Sequence, residues 1–309
     1  RDCTDMRKQV LASCNPDAYV DYDAAETSFE DFCTKELVQH GRADNQRALA
    51  SSIDGFTPSR RKIMYACFRR KPGEVKVAQM VGSAAEVTSY HHGEQSLVQT
   101  MVAMAQTWPG TNNVALLKPN GMFGSRHMVR TEHSAARYIF TEKHEIARAI
   151  FPAADDAVLT YAHDDGMAIE PVQYAPIVAM ALVNGAEGIG TGYKNFCPAY
   201  SMRDVIRNTR KLVDSPEAAA DAMTPAYFGF KGAVVAHDDL HVTFFGTYEI
   251  VDSNTMRITE LPPRVWTSVY IEWVKGHLMG DDKQHCVTSI DDVSSHHHVN
   301  ILVKTKNVD

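Results

Sequence analysis

The chain has 309 residues, 44% hydrophobic and 22% charged, a balance that excludes collagen-like, disordered and disulfide-scaffold classes. No run of about 18 uncharged apolar residues occurs, so no transmembrane helix is expected. Thirty-one Lys and Arg against 38 Asp and Glu leave a net charge of −7, which as a bulk figure argues against a nucleic-acid partner.

In chain order, Ser28-Phe-Glu-Asp31 has the form of a capping box, and Phe29, Phe32, Cys33 and Leu37 follow at helical spacing. That predicts a helix over 29–40, ending near Gly41. Ile53-Asp-Gly-Phe56 reads as a turn, and Pro58 suits the first position of a helix over 58–70. Ile63, Met64, Cys67 and Phe68 form its apolar face, leaving Arg60, Arg61, Arg69 and Arg70 for solvent or an anion. A short helical stretch over 75–81, a turn at Gly82 and a helix over 93–107 give the outline of a helix-turn-helix. Leu97, Met101, Met104, Ala105 and Trp108 line one side of that last helix. From 114 to 140 short apolar runs between glycines are compatible with the strands of a wing.

The second half changes character near 163–168. An apolar run over 176–184 leads into GAEGIGTG, residues 185–192. Ser201 to Asp204 repeats the capping-box form before an amphipathic helix. Residues 231–261 alternate as strands joined by turns at Asp238-Asp239 and Ser253-Asn254. Pro262-Pro263 precede an aromatic helix with Trp266, Tyr270 and Trp273.

Charge is distributed unevenly along these elements. Residues 1–41 carry four positive and nine negative groups, 42–148 fifteen and eight, and 149–309 twelve and twenty-one. A basic middle of +7 therefore lies between acidic flanks, either as a solvated helix face or as a surface for an anion. The six cysteines form no CxxC pair, which fits reduced thiols in an intracellular protein better than a zinc ribbon. The first residues hold neither Met nor a signal-peptide core, and both ends read as cut from a longer chain.

Four groups of residues invite chemistry. Tyr90-His91-His92-Gly93-Glu94 lacks the HExxH spacing that would put two imidazoles on one face, since neighbours along a helix point apart. A His at a helix start beside basic residues suits a phosphate instead. His296-His297-His298 sits among serines and reads as a solvated turn. GAEGIGTG lacks the GxGxxG spacing of a dinucleotide loop, and its glycines suit a bend presenting Ile189, a side chain fit to wedge between base steps. In Arg137-Tyr138, the phenol (ordinary pKa about 10) is a poor nucleophile unless a cation stabilises its anion or the charge on an attacked phosphate.

The runs DNQRALASSIDGFTPSRRKIMYACFRR, EVKVAQMVGSAAEVTSYHHGEQSL, FGSRHMVRTEHSAARYIFTE, PVQYAPIVAMALVNGAEGIGTGY and RITELPPRVWTS occur in this order. Together they resemble the DNA breakage-and-reunion region of eukaryotic type IIA DNA topoisomerases, from about Ser28 to the end. The resemblance implies an α+β fold. Residues 1–27 would link from an absent TOPRIM domain, 28–165 would be a winged-helix DNA-cleavage domain, and 166–309 an incomplete α/β tower domain. It implies Tyr138 as the nucleophile, leaving a 5′-phosphotyrosine link and a 3′-hydroxyl, with Arg137 holding the scissile phosphate, His92 contacting phosphate, and Arg47 and Arg61 positioning phosphate and developing charge. Asp54 would organise its loop. Arg60, Lys62, Lys76 and Arg126 are candidate DNA contacts, and Ile189 matches the isoleucine the family inserts into DNA.

Double-stranded DNA, a homodimer and no membrane are the implied partners. Mg²⁺ and ATP are the implied cofactors, both bound outside this chain, and no residue of the chain is expected to ligate metal. Nuclear DNA is the expected location of action, with an organelle as the alternative. Two departures stand out: Thr57 replaces the family's lysine, and Val129-Arg130 replace Gly-Gly before the nucleophile. They leave open a non-catalytic winged-helix DNA-binding module.

Overall fold

The computed structural model describes residues 4–128, 132–238, 241–280 and 286–306. After α1 (Thr4–Ala12), a continuous helical run comprises α2 (Phe29–Asp31), a π-helical segment (Phe32–Leu37) and α3 (Val38–Ala48). Ser28 caps it as expected: its Oγ accepts from the Asp31 N–H at 3.0 Å and donates to the Asp31 carboxylate at 2.8 Å. The run does not end at Gly41. That glycine lies buried inside α3 with Thr191 packed against it, so it serves close approach and not termination.

Next come α4 (Pro58–Arg69), β1 (Val75–Lys76), α5 (Val77–Val87) and α6 (Glu94–Ala105). Pro58 occupies the first turn of α4, where its missing N–H is harmless. The expected break at Gly82 is absent, and α5 runs through it because Val77, Met80, Val81 and Ala84 keep an unbroken buried stripe. Helices α5 and α6 form the helix-turn-helix. The wing is β2 (Leu117–Asn120) and β3 (Phe140–Lys143), which with β1 make an antiparallel sheet of order β1-β3-β2. One core unites Ile63, Met64, Met80, Leu97, Met101, Leu117 and Ile139.

Helix α7 (Glu145–Ile150) leads to the hairpin β4 (Tyr161–Asp164) and β5 (Met167–Pro171), turning at Asp165-Gly166, both with positive φ. The expected domain boundary at 165/166 thus falls on a hairpin tip. The core itself does not divide there, since Tyr174, Val178, Met180, Val183 and Val205 belong to the same cluster. Helix α8 (Met180–Val183) precedes the hairpin β6 (Ala186–Gly190) and β7 (Tyr193–Cys197), followed by α9 (Met202–Asp214). At α9 the second expected capping box does not form: Ser201 makes no side-chain cap, and Asp204 pairs with Arg207.

The remainder consists of the hairpin β8 (Ala233–Ala236) and β9 (Val242–Phe245), then β10 (Thr247–Asp252), β11 (Thr255–Glu260), α10 (Thr267–His277), β12 (Val287–Asp292) and β13 (Ile301–Thr305). The last four strands form an antiparallel sheet of order β10-β11-β13-β12, and α10 packs on it over a second core of Ile258, Leu261, Ile271, Val274 and Ile301. Ser253-Asn254 is the β10–β11 turn, as the sequence predicts. The other expected turn includes Asp239, which lies outside the described residues. The fold is α+β, a winged-helix unit followed by a tower-type sheet.

GAEGIGTG is strand and hairpin turn. A Cβ on Gly188 would lie 2.3 Å from the Ala48 carbonyl oxygen, so glycine here lets the hairpin lie flat on the end of α3. Gly188→Ala is therefore expected to displace the hairpin and destabilise the protein by about 1–3 kcal/mol. Thermal denaturation checks this; an unchanged melting temperature would refute it.

Candidate nucleic-acid interface

Tyr138 ends a short turn into β3, its N–H donating to the Ala135 carbonyl at 2.9 Å. The turn is stitched to the start of α5: Ala78 N–H donates to Ala136 O and Val77 N–H to Ile139 O, each at 3.0 Å. Ile139 points into the core and is 1% exposed, whereas its neighbour Tyr138 is 67% exposed. The contrast arises at the exit of the turn, where the hydrogen bond from Val77 N–H to Ile139 O draws Ile139 into the core and leaves the preceding turn residue outside. The Arg137 guanidinium lies 5.0 Å over the Tyr138 ring, and Arg137 too is exposed. Exposed Lys76 pairs with Phe140 across the ladder, adding a cation to this edge. Val129 and Arg130 lie outside the described residues.

A groove of about 260 Å³ brings together Arg47, Lys62, His91 and His92. His92 is exposed just before α6, its ring edge-on to Tyr90 at 5.5 Å, while His91 Nε2 lies 3.0 Å from Asp164 Oδ2. Among the described residues no three His, Cys, Asp or Glu side chains converge as a metal-binding group. His296, His297 and His298 are exposed, and Ser295 Oγ accepts from the N–H groups of the last two, forming a turn. A second groove, about 640 Å³, is lined by Thr57, Arg60, Ile189 and the edge of α6 at exposed Ser96 and Gln99 and half-buried Thr100.

Ile189 is 73% exposed. It stands on strand β6 and not on the expected bend, with the turn residues falling at 191–192. Its hairpin is tied to α3 through Asn45 Nδ2, donating to Thr191 O at 3.2 Å, and Thr191 Oγ1, donating to Asp44 at 2.9 Å. Exposed Arg47 binds the same Asp44 at 3.0 Å. The Thr191 hydroxyl, seconded by Arg47, holds the Asp44 carboxyl below its ordinary pKa range. One helix thus carries Arg47 and steadies the strand bearing Ile189.

Three expected DNA-facing cations are not free. Arg61 is buried and forks onto Asp54, Nε to Oδ2 at 2.7 Å and Nη2 to Oδ1 at 3.0 Å. Asp54 is fully buried and also accepts from the Phe56 N–H at 2.9 Å and the Tyr174 N–H at 3.0 Å. It organises its loop as the sequence reading expects. Gly55 there has φ +72, and a Cβ would meet Ala181 N at 2.7 Å. Lys62 is held by Glu170 at 2.8 Å and Thr88 O at 2.7 Å. Arg126 is buried against Glu260 and Leu261 O. A charged sequence position read from one element cannot register acceptors supplied by another. Glu170 and Glu260 carry no local signal of this role, because each meets its cation across more than a hundred residues.

The family model for the DNA gyrase/topoisomerase IV A-subunit matches residues 47–309. DNA topoisomerase 2 of Candida albicans is 42% identical over 306 residues, covering 99% of this chain and 21% of that protein. Human DNA topoisomerase 2-beta is 43% identical over 264 residues, 85% of this chain and 16% of that protein. The crystal structure of the Plasmodium falciparum topoisomerase II DNA-binding, cleavage and re-ligation domain matches with a TM-score of 0.89 at 39% identity. It aligns with 99% of this chain and 42% of its own. The chain thus spans about a fifth of the length of the curated relatives. Shared fold, near-complete coverage and identity far above what fold alone produces place it beyond analogy: the chain belongs to the DNA gyrase/topoisomerase IV A-subunit family, alongside the eukaryotic DNA topoisomerase 2 proteins.

Proposed function

We propose that this chain is the DNA-cleaving segment of a type II DNA topoisomerase, which opens a duplex, passes another through and reseals the break with ATP used elsewhere in the protein. The observation that carries the reading is the Tyr138 turn: an exposed phenol beside an exposed guanidinium, on a backbone stitched to the helix-turn-helix. Tyr138 Oη attacks a backbone phosphorus, and the bond from phosphorus to the 3′ oxygen breaks. The protein is left on the 5′ phosphate, and the phenolic proton ends on the released 3′-hydroxyl. One phosphodiester replaces another, so resealing needs no activated donor. Arg137 stabilises charge on the phosphate oxygens, a class of interaction worth about 10²–10³ in rate.

His92 and Arg47 contact backbone phosphate from the groove they share, and Lys76 adds a contact beside the turn. Ile189 wedges a base step in the passing path, with Arg60 lining the same groove. No cluster of described side chains here fits a metal ion. Mg²⁺, which would draw charge from the phosphate, is assigned to residues outside this chain, as is ATP. The active form is a homodimer, since cutting both strands of a duplex takes two tyrosines. The DNA acted on is nuclear, with an organelle as the alternative that imaging of a tagged protein would decide.

The test is the full-length protein incubated with supercoiled DNA and Mg²⁺, then quenched with denaturant. Covalent adducts on 5′ ends, mapping to the peptide containing Tyr138, are expected. DNA binding without any adduct would overturn the reading in favour of a non-catalytic winged-helix module.

A further inference from the structure

The segment preceding Tyr138 makes a second set of contacts that DNA binding does not explain. Its base is closed by a bridge between Phe123 and His133 and by the Ser134 N–H donating to Met122 O at 2.9 Å. Beyond that base, residues 126–127 leave the winged-helix unit and dock on the tower sheet. Arg126 donates from its side chain to Glu260 and, at 2.8 Å, to Leu261 O. Its backbone N–H reaches His296 O at 3.1 Å. Ser268 N–H, in the first turn of α10, donates to His127 O at 2.9 Å, and the His127 ring meets Asp292 at the end of β12.

Both charges of the Arg126–Glu260 pair are buried, at 4% and 2% exposure. Glu260 is fully engaged: besides Arg126 it accepts from the Leu261 N–H at 2.9 Å and the Lys231 N–H at 3.1 Å. Such a pair adds little net stability over apolar packing, because desolvation offsets attraction, but it tolerates only one geometry. An apolar contact could slide; a buried guanidinium whose Nη2 donates to two directional acceptors, Glu260 and Leu261 O, cannot. Residues 126–127 are thus held by β11, β12 and α10, and the stretch just before them, at Met122 and Phe123, is paired with the His133-Ser134 backbone that leads into the turn presenting the phenol.

We propose that Arg126 and Glu260 are positioning residues: a buried pin through which the tower sheet sets where Tyr138 stands. The role rests on the proposed cleavage by Tyr138. The pin touches no substrate. It acts by fixing the backbone at 122–127, whose pairing with His133 and Ser134 sets the base from which the Tyr138 turn departs, so that movement of the tower relative to the winged helix changes the attack geometry. A misplacement of about 1 Å costs roughly 10²-fold in a positioned reaction, which makes so remote a contact consequential.

The experiment uses the full-length protein and compares wild type with Glu260→Gln and Asp292→Asn. Glu260→Gln keeps the shape and one acceptor oxygen, which can serve Leu261 and Arg126, but removes the charge that holds Arg126 and turns an NH2 toward the Lys231 N–H. Asp292→Asn weakens the half-buried His127 contact at the same dock. Each is measured for thermal stability, DNA affinity and the rate of covalent adduct formation. The expected result is a fall in adduct rate of about 10–10²-fold for Glu260→Gln, with DNA affinity unchanged, and a smaller fall in the same direction for Asp292→Asn. Should Glu260→Gln prove unstable, Asp292→Asn carries the decision. A stable variant at either position that forms adducts at the wild-type rate overturns the pin. Equal losses of affinity and rate would also overturn it, since that pattern marks a DNA contact or general unfolding. If wild type itself forms no adduct at Tyr138, the cleavage reading fails and the pin with it; wild-type adducts beside unaffected variants sink the pin alone.

Discussion

Tyr138→Phe is expected to abolish covalent protein–DNA adducts while leaving DNA binding nearly intact. The substitution removes only the phenolic oxygen, the atom that would become bonded to phosphorus, and no other group on that turn offers a comparable nucleophile. The ring that remains can still lie under the Arg137 guanidinium, 5.0 Å away in the parent protein. A cation–π contact at so exposed a site is worth about 0.5–1 kcal/mol and is shared by Phe and Tyr. Because Tyr138 is mostly solvent-exposed, stability should change by no more than about 0.5 kcal/mol. The measurement is denaturant-trapped adduct on labelled DNA beside a binding isotherm at fixed salt. Adducts persisting at the parental level would remove Tyr138 from the chemistry.

Replacing Asp54 by Ala should destabilise the folded protein by about 3–5 kcal/mol, the range for stripping one partner from a buried ion pair. The site explains the size. Arg61 loses both of its fork contacts while staying buried, and the N–H groups of Phe56 and Tyr174 lose their shared acceptor. Behind them the rings of Phe56, Phe151 and Tyr174 lie within 5.3–6.5 Å of one another, Phe56 stacked on Phe151 and Tyr174 edge-on to both, so a loosened loop would disturb an aromatic cluster as well. Against a typical total of about 5–15 kcal/mol, the loss is a large share. Adding Arg61→Met to Asp54→Ala should cost less than the sum of the two single changes, because the second removes the stranded charge. Denaturant unfolding of the four proteins tests this; simple additivity would contradict it. The same coupling makes Arg61 a poor probe of phosphate contact, whereas exposed Arg47 can be changed without disturbing the core.

Much of the architecture is legible in local pattern. Pro58 marks the start of α4, Ser28 caps the helical run, and the buried stripe of Leu97, Met101 and Met104 defines α6, because each depends on residues within a turn or two. The departures share a cause. Gly41 and Gly82 look like breaks when only propensity is counted, yet α3 and α5 continue through them because packing elsewhere outweighs about 1 kcal/mol of glycine penalty. Likewise Gly188 and Gly190 suggest a bend, but they are small because α3 passes close to the strand.

The basic middle segment, the Arg137-Tyr138 pair and an Ile189 presented between glycines are properties of the sequence: local composition suffices to mark cations, a phenol and an apolar side chain as candidates for a surface. Which of those cations remain available is a different matter. Arg61, Lys62 and Arg126 read as equivalent to Arg47 and Lys76 along the chain, and only the tertiary structure separates them. It does so by bringing Asp54, Glu170 and Glu260 to the first three, two of these carboxylates from more than a hundred residues away. The reason is physical. A charge leaves water only where a partner completes its hydrogen bonds, and partner positions depend on how whole elements pack, which no short window of sequence contains.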